Sequence, residues 1–137
     1  MDSNPLQRPA PIRVYLVEDS AAIRKRIFED FAGIPGITLA GYAETESDAL
    51  NRLIQESFDV IILDIQLQQG NGINLLRTLA QKSKQSDAVK VVFSNHVDGT
   101  YRRLCEQYGV RYFFDKTFEF SRLRGTIVGI GSGAAIT

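Results

Sequence analysis

The chain has 137 residues, enough for about one domain whose core needs neither a disulfide nor a structural metal. Its sixteen basic and sixteen acidic residues cancel, which excludes binding to nucleic acid or an anionic membrane through overall charge. Cys105 is the single cysteine, and no apolar run approaches the roughly 20 residues of a membrane-spanning helix. We therefore expect a cytoplasmic protein whose partners are recognised by local contacts.

The first eleven residues, MDSNPLQRPAP, are polar and interrupted by proline, and they lack the apolar core of a signal peptide. We expect residues 1–11 to be a flexible leader and residues 12–130 to form one folded domain. Residues 131–137 are expected to be a flexible tail.

Five short runs rich in β-branched residues predict strands, at residues 12–17, 37–42, 60–63, 89–93 and 110–114. The intervening segments repeat apolar residues at helical spacing, and a last helix is predicted from about Glu119. Ser20, Thr45 and Asp98 are plausible N-caps, and Gly109 is positioned to end the fourth helix.

Strict alternation of strands and helices implies parallel strands joined by right-handed crossovers, with helices on both faces of the sheet. The predicted fold is therefore a flavodoxin-like three-layer (βα)5 α/β fold, a doubly wound parallel sheet with strand order 2-1-3-4-5. Such folds bind their ligands outside the carboxyl ends of the strands, so the residues that follow each strand are the candidates for function.

Polar residues follow four of the strands: Glu18, Asp19, Asp64, Ser94 and Lys116. Asp64 interrupts the apolar run IILDI, where a carboxylate is unfavourable unless it is paired, protonated or bound to a metal. Three clustered carboxylates repel unless a cation neutralises them, and an all-oxygen set suits Mg²⁺. A carboxylate beside Mg²⁺ can attack phosphorus and form an acyl phosphate, and Asp64 is the best nucleophile candidate.

The segments YLVEDS, VIILDIQL, VVFSN and YFFDKT, in that order, resemble the receiver domain of two-component response regulators of the single-domain, chemotaxis-receiver type. The resemblance covers about residues 12–130. It implies that Asp64 accepts a phosphoryl group from a sensor histidine kinase or a histidine phosphotransfer protein. It implies no enzymatic activity beyond phosphorylation and dephosphorylation of this aspartate.

The resemblance also implies roles for the other residues of the site. Asp19 binds Mg²⁺ directly together with Asp64, Glu18 assists largely through water, and the backbone carbonyl of Gln66 completes the protein ligands. Ser94 and Lys116 contact the phosphoryl oxygens.

Three further positions follow from the same resemblance. Phe113 matches the family's switch aromatic, and Gln66 and His96 occupy the positions that tune dephosphorylation. Thr117 departs from the family, which usually has proline after the lysine, often across a cis peptide bond. A cis bond before a residue other than proline costs about 2.5 to 4 kcal/mol, so we expect Lys116–Thr117 to be trans.

Seven aromatic residues lie in the last third of the chain: Tyr101, Tyr108, Tyr112, Phe113, Phe114, Phe118 and Phe120. They are too many to bury around one edge strand and two helices, so some are expected to form a partner surface. The family places that surface on the fourth helix, fifth strand and fifth helix. Its downstream partner is unknown, and self-association through it is left open.

Only 21 residues follow Lys116, so we expect no separate output domain. The alternatives are then a regulator that binds a target when phosphorylated, a phosphorelay shuttle, or a sink for phosphoryl groups. A Mg²⁺-dependent phosphohydrolase would usually have aspartate where this chain has Gln66, and a flavin-binding domain would need a phosphate loop in place of Glu18-Asp19-Ser20. A phosphate-independent interaction module is a further alternative.

Overall fold

A computed structural model describes residues 10–81, 85, 87–96 and 98–133. Five strands alternate with five helices along the chain. The elements are β1 (Ile12–Val17), α1 (Ala21–Phe31), β2 (Ile37–Ala43), α2 (Glu46–Leu53), β3 (Val60–Leu63), α3 (Gly72–Ala80), β4 (Val89–Ser94), α4 (Gly99–Gln107), β5 (Val110–Asp115) and α5 (Phe120–Gly131). The five predicted strands are confirmed, and β2, β4 and β5 each extend one residue further than predicted.

The strands form one parallel sheet in the order β2-β1-β3-β4-β5, which confirms the predicted flavodoxin-like fold. Near its carboxyl end, β1 pairs Val17 with Leu63 of β3. On the other side of β3, Ser94 at the end of β4 pairs with Asp115 of β5. The residues that follow β1, β3, β4 and β5 therefore meet at one edge of the sheet.

Two hydrophobic clusters cover the two faces of the sheet. Ile61 and Leu63 of β3 pack on one face with residues of α2, α3 and α4, and Cys105 is buried in this cluster as expected. Val60 and Ile62 pack on the other face with residues of α1 and α5. Because β3 is buried on both faces, its sequence is continuously apolar up to Asp64.

The predicted helix ends are confirmed by their backbone contacts. Each of the three N-cap side chains accepts a hydrogen bond from a backbone N–H of the following helix, at 3.3 Å for Ser20 and 3.1 Å for Thr45 and Asp98. Gly109 follows α4 with a φ of 90°, a conformation that favours glycine. Glu119 immediately precedes α5.

Parts of the predicted leader and tail, residues 1–9 and 134–137, lie outside the described residues. Helix α5 continues to Gly131, the first residue of the predicted tail. Within the described ranges, no helix combines the length and the apolar character that a membrane crossing needs.

Candidate functional site

Three acidic side chains meet at the carboxyl edge of the sheet. Glu18 and Asp19 follow β1, and Asp64 follows the neighbouring strand β3, whose end is joined to β1 by a 3.1 Å hydrogen bond from the Asp64 N–H to the Val17 carbonyl. One carboxylate oxygen from each acid lies within 4.8 Å of the other two. The structure thus brings together the three acids that the sequence predicted, although they lie up to 46 residues apart along the chain.

Lys116, which follows β5, is the counter-ion of two of these acids. Its ammonium donates a hydrogen bond to Asp64 Oδ2 at 2.5 Å and lies 2.8 Å from Glu18 Oε1. Glu18 is only 1% exposed and Asp64 6% exposed, so neither carboxylate has much access to water. One cation therefore neutralises part of a buried double negative charge.

Burial and ion pairing have opposite effects on the pKa values of Glu18 and Lys116. Burial raises the pKa of Glu18 above its ordinary value, although the hydrogen bond and charge of Lys116 act to lower it. Burial also disfavours the charged form of Lys116. The hydrogen bonds and negative charges of Asp64 and Glu18 outweigh that effect and raise the pKa of the lysine. Lys116 is therefore a cation at neutral pH.

The loop between β3 and α3 is held against the acids by backbone N–H groups. Gln66 N–H donates to Asp64 Oδ1 at 3.3 Å, and Gln68 N–H donates to Asp19 Oδ2 at 2.6 Å. Gly72 begins α3 so close to Asp64 that a Cβ at position 72 would lie 2.2 Å from the Asp64 carbonyl oxygen. The glycine-containing loop was visible in the sequence, but these contacts depend on the loop path and were not predicted.

The donor set fits a hard divalent cation. The three acids offer only carboxylate oxygens, the ligand type that Mg²⁺ prefers. They also carry more negative charge than the single ammonium of Lys116 can neutralise. The chemistry of these three carboxylates therefore fits a hard divalent cation such as Mg²⁺.

Ser94 ends β4 beside Lys116. Its side chain is fully buried, and its hydroxyl oxygen accepts a 3.1 Å hydrogen bond from the His96 N–H. Because the hydroxyl accepts this bond, its own proton can be donated to another oxygen. The Lys116 N–H donates to the Ser94 carbonyl at 3.2 Å, so the predicted hydroxyl and the predicted lysine are joined through their backbones.

Two predicted residues lie outside the acidic cluster. Phe113 on β5 is half-buried, and the guanidinium of Arg102 on α4 lies 4.6 Å from the centre of its ring. The His96 ring contacts the Tyr101 ring in an edge-to-face arrangement, with 6.1 Å between the ring centres. The Lys116–Thr117 peptide is trans, as expected.

The crowded aromatic residues divide between core and surface. Phe114 and Phe120 are buried, whereas the side chains of Tyr101, Tyr108, Tyr112 and Phe113 are partly exposed. Phe118, two residues after Lys116, is 85% exposed. The expectation that these aromatic residues could not all be buried is confirmed.

Curated proteins with similar sequences include two bacterial regulators. The chain is 30% identical to the transcriptional regulatory protein DcuR of Escherichia coli over 120 residues, which is 86% of this chain and 49% of that protein. It is 29% identical to the transcriptional regulatory protein MalR of Bacillus subtilis over 113 residues, 82% of this chain and 47% of that protein. The chain therefore spans about half the length of these relatives.

Solved structures with the same fold include two receiver domains from bacteria. The response regulator domain of Thermotoga maritima CheB superposes with a TM-score of 0.76 at 22% identity, covering 90% of this chain and 96% of that one. The second is the receiver domain of a sensor histidine kinase from Pseudomonas aeruginosa, which was solved with a magnesium ion in its active site cleft. It superposes with a TM-score of 0.75 at 18% identity, covering 91% of this chain and 100% of that one. At these identities the similarity shows the fold.

The sequence model of the response regulator receiver domain matches residues 14–128. This match includes all five strands except the first two residues of β1, and it contains Glu18, Asp19, Asp64, Ser94 and Lys116. The chain therefore belongs to the response regulator receiver domain family.

Proposed function

We propose that the chain is the phosphoacceptor of a two-component signalling system, in which Asp64 takes a phosphoryl group from a phosphohistidine. The donor is a sensor histidine kinase or a histidine phosphotransfer protein. The observation that carries this proposal is the Lys116 ammonium, which binds Asp64 while Glu18 and Asp19 lie within reach of the same point. Asp64 therefore has the Lys116 ammonium on one side and, with Glu18 and Asp19, the carboxylate oxygens that could hold a metal ion.

Mg²⁺ is the proposed cofactor, held by Asp19, Asp64 and the backbone carbonyl of Gln66, with Glu18 acting largely through water. When bound, Mg²⁺ supplies positive charge against the phosphoryl oxygens and the acidic cluster. The all-oxygen donor set supports this assignment. The magnesium ion in the cleft of the Pseudomonas aeruginosa receiver domain is consistent with it.

In the proposed reaction a carboxylate oxygen of Asp64 attacks phosphorus, and the bond from phosphorus to the donor's imidazole nitrogen breaks. The electron pair of that bond goes to the nitrogen, and Asp64 becomes an acyl phosphate. Lys116 transfers its hydrogen bond from the carboxylate to a phosphoryl oxygen, and Ser94 donates its hydroxyl proton to another. The bond from His96 N–H to Ser94 Oγ supports this role, because it leaves that proton available.

Phosphorylation then shifts an existing equilibrium of the face formed by α4, β5 and α5. Phe113 is the proposed switch residue, and Gln66 and His96 are the proposed determinants of the dephosphorylation rate. The contact between Phe113 and Arg102 supports this switch, because it connects β5 to α4.

The proposed output is binding of a downstream protein by the phosphorylated form, in the cytoplasm. A phosphorelay shuttle and a phosphoryl sink remain the alternatives, and each uses the same chemistry at Asp64. The curated relatives include transcriptional regulators and a protein-glutamate methylesterase of Rhodospirillum rubrum, so a similar sequence occurs in proteins whose names give different activities.

The test is intact mass spectrometry after brief incubation with acetyl phosphate, with and without Mg²⁺. Wild type should gain one phosphoryl group only with Mg²⁺, and Asp64→Asn should gain none. Asp59→Asn is the matched control and should still gain the phosphoryl group. Asp59 is exposed and lies next to β3 at the end opposite to Asp64. Modification of Asp64→Asn, or no modification of wild type where another receiver is modified, would contradict the proposal.

A further inference from the structure

Two loops that carry the site are joined by a side-chain hydrogen bond. Asn95 follows Ser94, and Thr117 follows Lys116, on the loops after β4 and β5. Thr117 Oγ1 donates to Asn95 Oδ1 at 3.2 Å. One residue earlier, the Lys116 N–H donates to the Ser94 carbonyl at 3.2 Å. The side-chain bond therefore extends the connection between β4 and β5 past the ends of both strands, to one residue beyond β4 and two residues beyond β5.

The position of Thr117 is itself fixed by a turn. Asp115 Oδ1 accepts hydrogen bonds from the N–H groups of Thr117, at 2.7 Å, and Phe118, at 3.0 Å. The Asp115 N–H in turn donates to Glu119 Oε1 at 2.9 Å. Because the backbone of Thr117 is held by these bonds and its β-branched side chain has few rotamers, the hydroxyl direction is set before Asn95 is reached.

We propose that Thr117 is a positioning residue for phosphoryl transfer, which acts by fixing the loop of Ser94 relative to the loop of Lys116. This inference rests on the proposed function of Asp64 and adds a role to a position that the sequence identified only as a departure from the family's proline. Proline has neither an N–H for Asp115 nor a hydroxyl for Asn95, so it could make neither bond. Thr117 itself does not touch the reacting atoms.

The hydrogen bond between Thr117 and Asn95, called the loop bridge below, matters because Ser94 and Lys116 must reach the same phosphoryl group from different loops. Holding both groups in place before the phosphoryl group arrives lowers the ordering needed in the transition state. A single exposed hydrogen bond stabilises such an arrangement modestly, so its loss should slow phosphorylation by about two- to tenfold. Mg²⁺ affinity should stay unchanged, because the metal ligands lie on the loops after β1 and β3.

The first test compares phosphorylation rates by acetyl phosphate at saturating Mg²⁺ for four variants. Thr117→Val removes the hydroxyl but keeps the β-branch, Thr117→Ser keeps the hydroxyl, and Asn95→Ala removes the acceptor. Thr117→Val and Asn95→Ala should be slow, Thr117→Ser should be clearly faster than Thr117→Val because it keeps the hydroxyl, and the double variant Thr117→Val/Asn95→Ala should be no slower than either single variant. Equal rates for Thr117→Val and wild type, additive losses in the double variant, or a Thr117→Ser as slow as Thr117→Val would overturn the proposal.

A second test needs no phosphorylation. The N–H groups of His96 and Lys116 both bond to Ser94, so their hydrogen exchange reports on the two loops. Exchange at both N–H groups should be faster in Thr117→Val than in wild type or Thr117→Ser. Unchanged exchange would show that the loop bridge does not couple the two loops. If wild type itself takes no phosphoryl group, the proposed function is contradicted, while the exchange rates still decide whether Thr117 couples the loops.

Discussion

Lys116 donates a 2.5 Å hydrogen bond to Oδ2 of Asp64, the acid that follows the central strand β3. The other carboxylate oxygen of Asp64 accepts the Gln66 N–H at 3.3 Å, so both oxygens are held before any ligand arrives. The same ammonium lies 2.8 Å from Glu18, which is almost fully buried. The lysine therefore has a structural role as a counter-ion in addition to its proposed role at the phosphoryl group.

Lys116→Met should destabilise the protein at neutral pH, because it leaves two buried carboxylates without their cation. We expect the free energy of unfolding to fall by about 3 kcal/mol, measured by urea denaturation. Mg²⁺ should restore more stability to this variant than to wild type, since the added cation replaces the missing charge. Lys25→Met is the control: Lys25 is exposed and lies 4.0 Å from Glu29, so its loss should change stability little.

The loss of unfolding free energy in Lys116→Met should also depend on pH. Burial raises the pKa of Glu18 above 4.5, and removing Lys116 raises it further. A carboxyl group whose pKa is higher in the folded state destabilises the fold above that pKa and ceases to do so as pH falls through it. The stability difference between variant and wild type should therefore narrow as pH falls from 7 towards 4.5. A difference independent of pH would argue against this charge cluster.

Gly72→Ala should impair both stability and phosphorylation. The added Cβ would lie 2.2 Å from the Asp64 carbonyl oxygen, so the backbone at the nucleophile or the start of α3 must move. We expect a loss of about 2 kcal/mol in unfolding free energy and a phosphorylation rate lower by roughly tenfold or more. Gly125→Ala is the matched control, because its Cβ would meet no atom within 4 Å apart from its own neighbours and the backbone of α5, so the change should stabilise α5 slightly. Normal phosphorylation of Gly72→Ala would contradict the assigned packing.

Cys105 should be inert in the folded protein. Its side chain is fully buried, and burial raises the pKa of the thiol to about 11. The reactive thiolate is therefore scarce at pH 8, and alkylating reagents have little access to the sulfur. Labelling with iodoacetamide should be slow in buffer and fast in denaturant. Rapid labelling of the folded chain would show that α4 opens from the sheet far more often than its packing predicts.

Phe113→Ala should uncouple α4 from the site. The ring connects β5 to α4 through Arg102, and its truncation should reduce the change in amide exchange that phosphorylation produces along α4. Phosphorylation of Asp64 should still occur, because Phe113 contributes no group to the acidic cluster. Phe118→Ala, which removes an exposed ring near the same strand, should leave the α4 response intact. An undiminished response in Phe113→Ala would refute the switch assignment.

The fold and the acidic cluster were predictable because their signals are local and mutually consistent. β3 is buried on both faces and is therefore apolar throughout, and Ser20, Thr45 and Asp98 mark the helix starts by their own chemistry. Once alternation fixed a parallel sheet, the residues after the strands had to converge. Strand ends were less certain: β2, β4 and β5 each gain one residue, since pairing with a neighbour decides where a strand stops.

The remaining features of the site depend on side-chain paths across long sequence separations. The contact of Lys116 with Glu18 joins residues 98 apart, and the bond between Thr117 and Asn95 joins residues 22 apart. Neither pair has a pattern of spacing that would reveal it. The role of Gly72 likewise depends on where the Asp64 carbonyl lies, which only the folded loop determines.

The most direct test of the central claim is to locate the phosphoryl group. Wild-type protein treated with acetyl phosphate and Mg²⁺ is reduced with borohydride, which converts a phosphorylated aspartate to homoserine, and its peptides are then sequenced by mass spectrometry. The predicted result is homoserine at position 64 when Mg²⁺ is present and no homoserine when Mg²⁺ is omitted. Homoserine at Asp19 or another acid, or none in the treated protein, would contradict the assignment of Asp64 as the phosphoacceptor.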